Sequence, residues 1–218
     1  MKTDSQLQQD VMAELKWEPA VQAQHIGVEV TDGVVTLSGH VHSYCEKWRA
    51  EQAAQRVAGV SALAVEVDVQ LLGTSQRVDA DIARTAENVL LWTGILPKAA
   101  LKVLVENGWL TLTGTLDWDF QRKTAVNAVR HLMGVTGVSN QIVITPTVTF
   151  SAVKADIEAA LVRRASLDTE AISVQVVGSE VWLSGTVHSW AERDLATHAA
   201  WGTPGVHKVV DHMTITPC

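Results

Sequence analysis

Apolar positions follow two alternating rhythms along the chain, and the order of those rhythms recurs three times. Leu7, Val11 and Leu15 stand at i, i+4 and i+8, as do Ile82, Ala86 and Leu90, and then Val153, Ile157 and Leu161. Such spacing draws one apolar stripe along a helix. The period then drops to two. Ile26, Val28 and Val30 lead to Val35 and Leu37; Leu101, Val103 and Val105 lead to Leu110 and Leu112; Ile172, Val174 and Val176 lead to Val181 and Leu183. The intervening pairs Asp32-Gly33, Asn107-Gly108 and Gly178-Ser179 suit the type I′ or II′ turns of tight hairpins. This predicts Val30 opposite Val35 and Val28 opposite Leu37, with one face apolar throughout.

A second helix is predicted next. Ser43 to Glu46 and Ser189 to Glu192 have capping-box spacing. The second copy reads Trp118-Asp119-Phe120-Gln121 there, with Asp117 or Asp119 as candidate caps. Small residues line this helix: Ala50, Ala53 and Ala54; Ala125, Ala128 and Val129; Ala196, Ala199 and Ala200. Gly59, Gly134 or Gly137, and Gly205 are expected to stop it. A last alternating strand follows, with Val65, Val67 and Val69, then Ile142 and Ile144, then Met213 and Ile215.

The copies align without internal gaps. Gly39, Gly114 and Gly185 stand 75 and then 71 residues apart, and Gly59, Gly134 and Gly205 keep the same offsets. The expected fold is α+β: three tandem α-β-β-α-β repeats, each a three-stranded mixed sheet with two helices on one face. The units are placed at 1–72, 76–146 and 150–218. Their linkers, near Gly73-Thr74-Ser75-Gln76 and Thr145-Pro146-Thr147, are short. A 70-residue unit is marginally stable alone, so the units are expected to touch.

Composition narrows the function. The 218 residues carry 17 Lys plus Arg against 24 Asp plus Glu, a net charge of −7. That balance argues against nucleic acid as a partner and against docking on anionic lipid by charge alone. Two cysteines, Cys45 and Cys218, can neither build a disulfide framework nor fill a zinc site. The N-terminal stretch lacks the apolar core of a signal peptide, and no run of about 18 apolar residues could span a membrane. A cytoplasmic protein, able to sit peripherally at the inner membrane, is the expectation.

Val35-Thr36-Leu37-Ser38-Gly39-His40-Val41 with Gly59-Val60 resembles the BON domain family, named for bacterial osmotically inducible and nodulation proteins. So do Leu110-Thr111-Leu112-Thr113-Gly114-Thr115-Leu116 with Gly134-Val135, and Val181-Trp182-Leu183-Ser184-Gly185-Thr186-Val187 with Gly205-Val206. The likeness covers nearly the whole chain in three tandem copies. It implies a non-enzymatic bacterial protein of osmotic or envelope stress, of a transport-associated class, that binds phospholipid surfaces. One branch of the family senses potassium.

Candidate sites are few. Gly39, Gly114 and Gly185 lie within strand two; a bulge or room for helix two is the plain reading, backbone carbonyls holding an ion the functional one. His40 and His42 share one side of the chain near Tyr44 and Cys45, but no third ligand stands at recognisable spacing, so no metal is expected. No nucleophile elbow, paired-carboxylate motif or phosphate loop is present, so no catalytic residue, no cofactor and no enzyme activity are expected.

The eight tryptophans are the informative excess. Trp17 and Trp92 are equivalent at the end of helix one, where Arg163 replaces them in the third unit; plugs under the next loop are expected. Trp109 and Trp182 fall on the non-core hairpin face, joined by Leu104 and Val177, and are expected to pack against another unit of the chain. An oligomer contact or an interfacial membrane contact is the functional reading. Trp118, Trp190, Tyr44 and Phe120 gather at the start of helix two. They read as hydrophobic staples or as an edge that meets a ligand or membrane.

Three functions follow. The first is a stress-associated protein that binds phospholipid surfaces or an envelope-linked partner through aromatic edges. The second is a self-assembling ring or filament scaffold. The third is a sensor of a small ion, such as potassium, or of a metabolite.

Overall fold

The two periods of the sequence become two layers, repeated along the chain. The structure is a computed structural model and describes residues 2–97, 100–145, 172–203 and 206–216. The predicted helix on Val153, Ile157 and Leu161 lies outside those residues, as do Arg163, Gly205 and Cys218.

In the first unit, α1 (Asp4–Trp17) is followed by β1 (Ile26–Thr31), β2 (Val34–Val41), α2 (Tyr44–Arg56) and β3 (Ala62–Val69). The second unit repeats this as α3 (Asp79–Trp92), β4 (Leu101–Glu106), β5 (Trp109–Leu116), α4 (Asp119–Arg130) and β6 (Gly137–Ile144). The third contains β7 (Ile172–Val177), β8 (Glu180–Val187), α5 (Trp190–Trp201) and β9 (Lys208–Ile215). Each sheet has the second strand of its hairpin in the middle, antiparallel to the first and parallel to the third.

The hairpin register is the predicted one: Val28 faces Leu37 and Val30 faces Val35. Asp32 and Gly33, and Asn107 and Gly108, all have positive φ, as a type I′ turn demands. In the third hairpin Gly178 alone of the turn pair has positive φ. The central strand carries the core: Val35, Leu37, Leu110, Leu112, Val181 and Leu183 are fully buried. The helix stripes Leu7–Val11–Leu15 and Ile82–Ala86–Leu90 close onto the same face. The alanines of α2, α4 and α5 let those helices lie close to the sheet.

Ser43 and Ser189 cap α2 and α5, each accepting from the backbone N–H three residues on. The second unit departs from the expected carboxylate cap. Trp118 occupies the N-cap position, and its backbone N–H donates to Gln121 Oε1 at 3.2 Å. Asp119 is the first helical residue; it is buried, and pairs with Arg122 and, at 3.6 Å, with Lys123.

The strand-two glycines also have a different cause from the one expected. Gly39 and Gly114 have φ of 122° and 136°. A Cβ at either would run into the carbonyl oxygen of His25 or Ala100, just before the first strand of the hairpin. Backbone across the hairpin, not helix two, fills the space.

Candidate functional site

Each sheet has one face covered by helices and one face open, and the surplus tryptophans lie mostly on the open side or at helix ends. Trp109 is 52% exposed and Trp182 is 37% exposed, so neither is buried against another unit, contrary to expectation. Each lies instead across the third strand of its own sheet. The Trp109 ring covers the missing side chain of Gly137 on β6. Trp182 stacks on His212 of β9, centroids 5.7 Å apart and planes within 18°, with Lys208 Nζ 5.9 Å from the ring. Leu104, Val143 and Val177 stand exposed on the same open faces.

Trp17 and Trp92 are not plugs. They are 83% and 89% exposed, with Leu91 and Ile95 also exposed beside Trp92. The stripe of α1 ends at Leu15 and that of α3 at Leu90. Two residues further on, a side chain points away from the sheet.

The aromatic residues at the start of the second helix part company. Trp190, from the third unit, packs against the core of the first. Tyr44, from the first unit, packs against the core of the second. Trp118 and Phe120 stay exposed, at 37% and 50%.

Those contacts belong to a closed series. The N-terminal end of α2 meets the C-terminal end of α4: Arg130 lies over the Trp48 ring at 3.9 Å, and Cys45 Sγ is 3.1 Å from His131 Nδ1. The N-terminal end of α4 meets the C-terminal end of α5: Arg122 lies over the Trp201 ring at 4.7 Å, and Lys123 Nζ is 3.1 Å from His198 Nδ1. The N-terminal end of α5 then returns to the C-terminal end of α2, where Trp190, Arg193 and Asp194 face Gln52, Gln55 and Arg56 across a cleft. Head meets tail three times, so the units form a cyclic arrangement, with the second helices inside it and the open sheet faces turned outward.

Burial in the first seam pushes the Tyr44 hydroxyl above its ordinary range and the Arg130 guanidinium below its own. Desolvation also raises the Glu51 carboxyl, against the pull of Lys47 and Arg130. Trp48, Arg130, Arg122 and Trp201 were not singled out by sequence reasoning. Their one signal is a tryptophan on the second helix that stands apart from its alanine stripe.

Near the open face of the first unit, His40 and His42 are joined by His25, which the strand pattern did not select. The ring centroids are 4.9 to 5.9 Å apart, and His42 Nδ1 is 3.3 Å from the Gln70 carbonyl. Among the described residues no group of three or more His, Cys, Asp and Glu is arranged to hold a metal ion. Nor is any helix among them long and apolar enough to cross a membrane.

Known proteins share this pattern. The BON domain matches at residues 3–70, 78–146 and 151–217. Osmotically-inducible protein Y of Escherichia coli (strain K12) is 30% identical over 143 residues, which are 64% of this chain and 71% of that protein. Among solved structures, CdsD, a structural protein of the type III secretion system of Chlamydia trachomatis, matches at 14% identity and a TM-score of 0.26. That match covers 96% of this chain and 92% of the other. A second structure, of the C-terminal domain of CdsD, gives the same identity and TM-score over the full length of both chains. Superpositions that loose transfer no arrangement.

Proposed function

The chain belongs to the BON domain family, and on that premise we propose that it is a non-enzymatic, osmotic-stress-associated protein that binds phospholipid membrane surfaces through exposed tryptophans. The observation that carries this reading is the pair Trp17 and Trp92, 83% and 89% exposed at equivalent positions of two units. Each indole stands free at the end of its first helix, so both are available to an apolar surface. Indole rings settle at the water–hydrocarbon boundary, with the ring in the apolar layer and the N–H wet. Leu91 and Ile95 extend the apolar surface beside Trp92. The similarity to osmotically-inducible protein Y supports the association with osmotic stress.

With a net charge of −7, binding by these indoles draws little from anionic headgroups, so it is expected to resist salt. The test is flotation of the full chain with phosphatidylcholine vesicles and with vesicles containing phosphatidylglycerol, at low and high salt. The wild-type chain should float with both, and the Trp17→Ala/Trp92→Ala double variant should lose at least tenfold in bound fraction while its melting temperature holds. Failure of the wild-type chain to float under every condition overturns the reading. Concentration-dependent growth in mass without lipid would move the function to self-assembly through the open sheet faces.

A further inference from the structure

The first hairpin strands β1, β4 and β7 each end a sheet, and among the described residues no further strand pairs with their outer edges. A bare strand edge is a template for another strand. In the first unit that edge is covered. Ile26 and Val28 are buried, and Gln8 of α1 donates through Nε2 to the Val28 carbonyl at 2.6 Å. In the second unit the offset of 75 places Ala83 where α1 has Gln8, so that position gives no such bond to Val103, the counterpart of Val28. Leu101, Val103 and Val105 are half-buried against the core beneath them. On the open face of the same strand Leu104 is 55% exposed, flanked by exposed Lys102 and Glu106.

The hairpin decides which backbone groups of β4 face outward. Glu106 and Trp109 close the two-residue turn, and in such a turn the closing pair exchanges both hydrogen bonds. Alternation along the ladder then directs the backbone of Leu104 and Lys102 toward β5, and that of Val103 and Val105 toward the free edge. The bond from Gln8 to Val28 in the first unit agrees with this parity.

The β4 edge is complementary to itself. An antiparallel pair of β4 strands with its axis at Leu104 sets Leu104 against Leu104. It sets Lys102 against Glu106 of the second copy at both ends, and Val103 beside Val105 with their outward N–H and C=O groups joined. Opposite charges directly across a strand pair stabilise it, and like charges destabilise it. The other two edges lack this match. The same axis on β1 puts Glu29 against Glu29, and on β7 it puts Gln175 against Gln175 and Ser173 against Val177.

We propose that the second unit binds a second copy of this chain edge to edge through β4, joining two three-stranded sheets into one of six strands. The contact is isologous, so each copy uses up its own edge and the assembly stops at two. It requires neither lipid nor the indoles of Trp17 and Trp92.

Sedimentation equilibrium of the full chain without lipid tests this, from about 1 μM to about 1 mM, the range of weak specific contacts. The mass should rise from one chain to two and stop there. Lys102→Glu brings carboxylates face to face at both ends and should weaken dimerisation at least tenfold. Glu106→Lys tests the same contact from the other side if Lys102→Glu fails to fold. Lys102→Glu/Glu106→Lys restores opposite charges and should return the association to within about threefold of wild type. Trp182→Ala, on the open face of the third unit, should leave it unchanged. A single chain at every concentration overturns the proposal, as does growth past two copies, which belongs to the open sheet faces. Dimerisation that survives within a factor of two in a folded single-reversal variant overturns it as well. A double variant no better than the single ones overturns the pairing of Lys102 with Glu106.

Discussion

Leu112 and Trp109 sit three residues apart on one strand and face opposite ways. Leu112 is fully buried beneath the helices, and Trp109 is half exposed on the open face. A carboxylate at position 112 would be an unpaired charge in an apolar core, a cost of more than about 4 kcal/mol. Leu112→Asp is therefore expected to abolish the cooperative melting of the second unit. Trp109→Glu should lower stability by under about 1 kcal/mol, since it forfeits only the cover over Gly137. Circular dichroism melts of the two variants decide between them, and the opposite ranking would place the strand one residue out of register. Strict alternation made these orientations legible. It did not give the reason for Gly39 and Gly114, because the carbonyls that exclude a Cβ come from the far side of the hairpin.

At the scale of elements, both described first helices are fastened to their hairpins by a single carboxylate. Asp79 opens α3, and its two oxygens accept from the backbone N–H groups of Asn107 and Gly108 at 2.8 and 2.9 Å. Asp4 of α1 does the same for Asp32 and Gly33. The type I′ turn leaves these two amides pointing outward together, and an Asp in the first helical turn also favours the helix dipole. Both sites are solvent-accessible, so Asp79→Ala should cost about 1 kcal/mol, read calorimetrically as a fall of about 2–4 °C in melting temperature. Helices, strands and turns were all readable locally, for each rests on a period or a dipeptide. The Asp79 clamp was not, since its partners lie 28 and 29 residues away.

The whole molecule is organised by its seams, and Glu51 reports on the first of them. Its carboxyl is raised mainly by desolvation, with Lys47 and Arg130 pulling the other way. A folded-state value above the ordinary carboxylate range means that the unfolded chain gives up this proton first. The group costs the fold nothing in acid. Its penalty grows as pH rises from the ordinary range, about 4.3, through the raised value, and is complete above it. Glu51→Gln is thus expected to melt higher than wild type at pH 7 and level with it near pH 3.5. Thermal melts at the two values check this, and a lower melting temperature at pH 7 would mean that the attraction of Lys47 and Arg130 outweighs the burial. At this scale the sequence foresaw contact between units, and it mistook the contacts. Trp109 and Trp182 were expected to meet other units and face outward; Trp48, Trp190 and Trp201 meet them instead.

What the sequence determined by itself is everything with a short period: the α-β-β-α-β order, the hairpin turns and register, the buried face of every described strand and the threefold recurrence. Each of these follows from side chains a few residues apart, or from comparing one copy with the next. Tertiary structure decided which surplus aromatics are spent between units and which are left to solvent. Those outcomes depend on a helix end in one unit meeting a helix start in another, 86 residues away for His131 and Cys45, and no local period carries that distance.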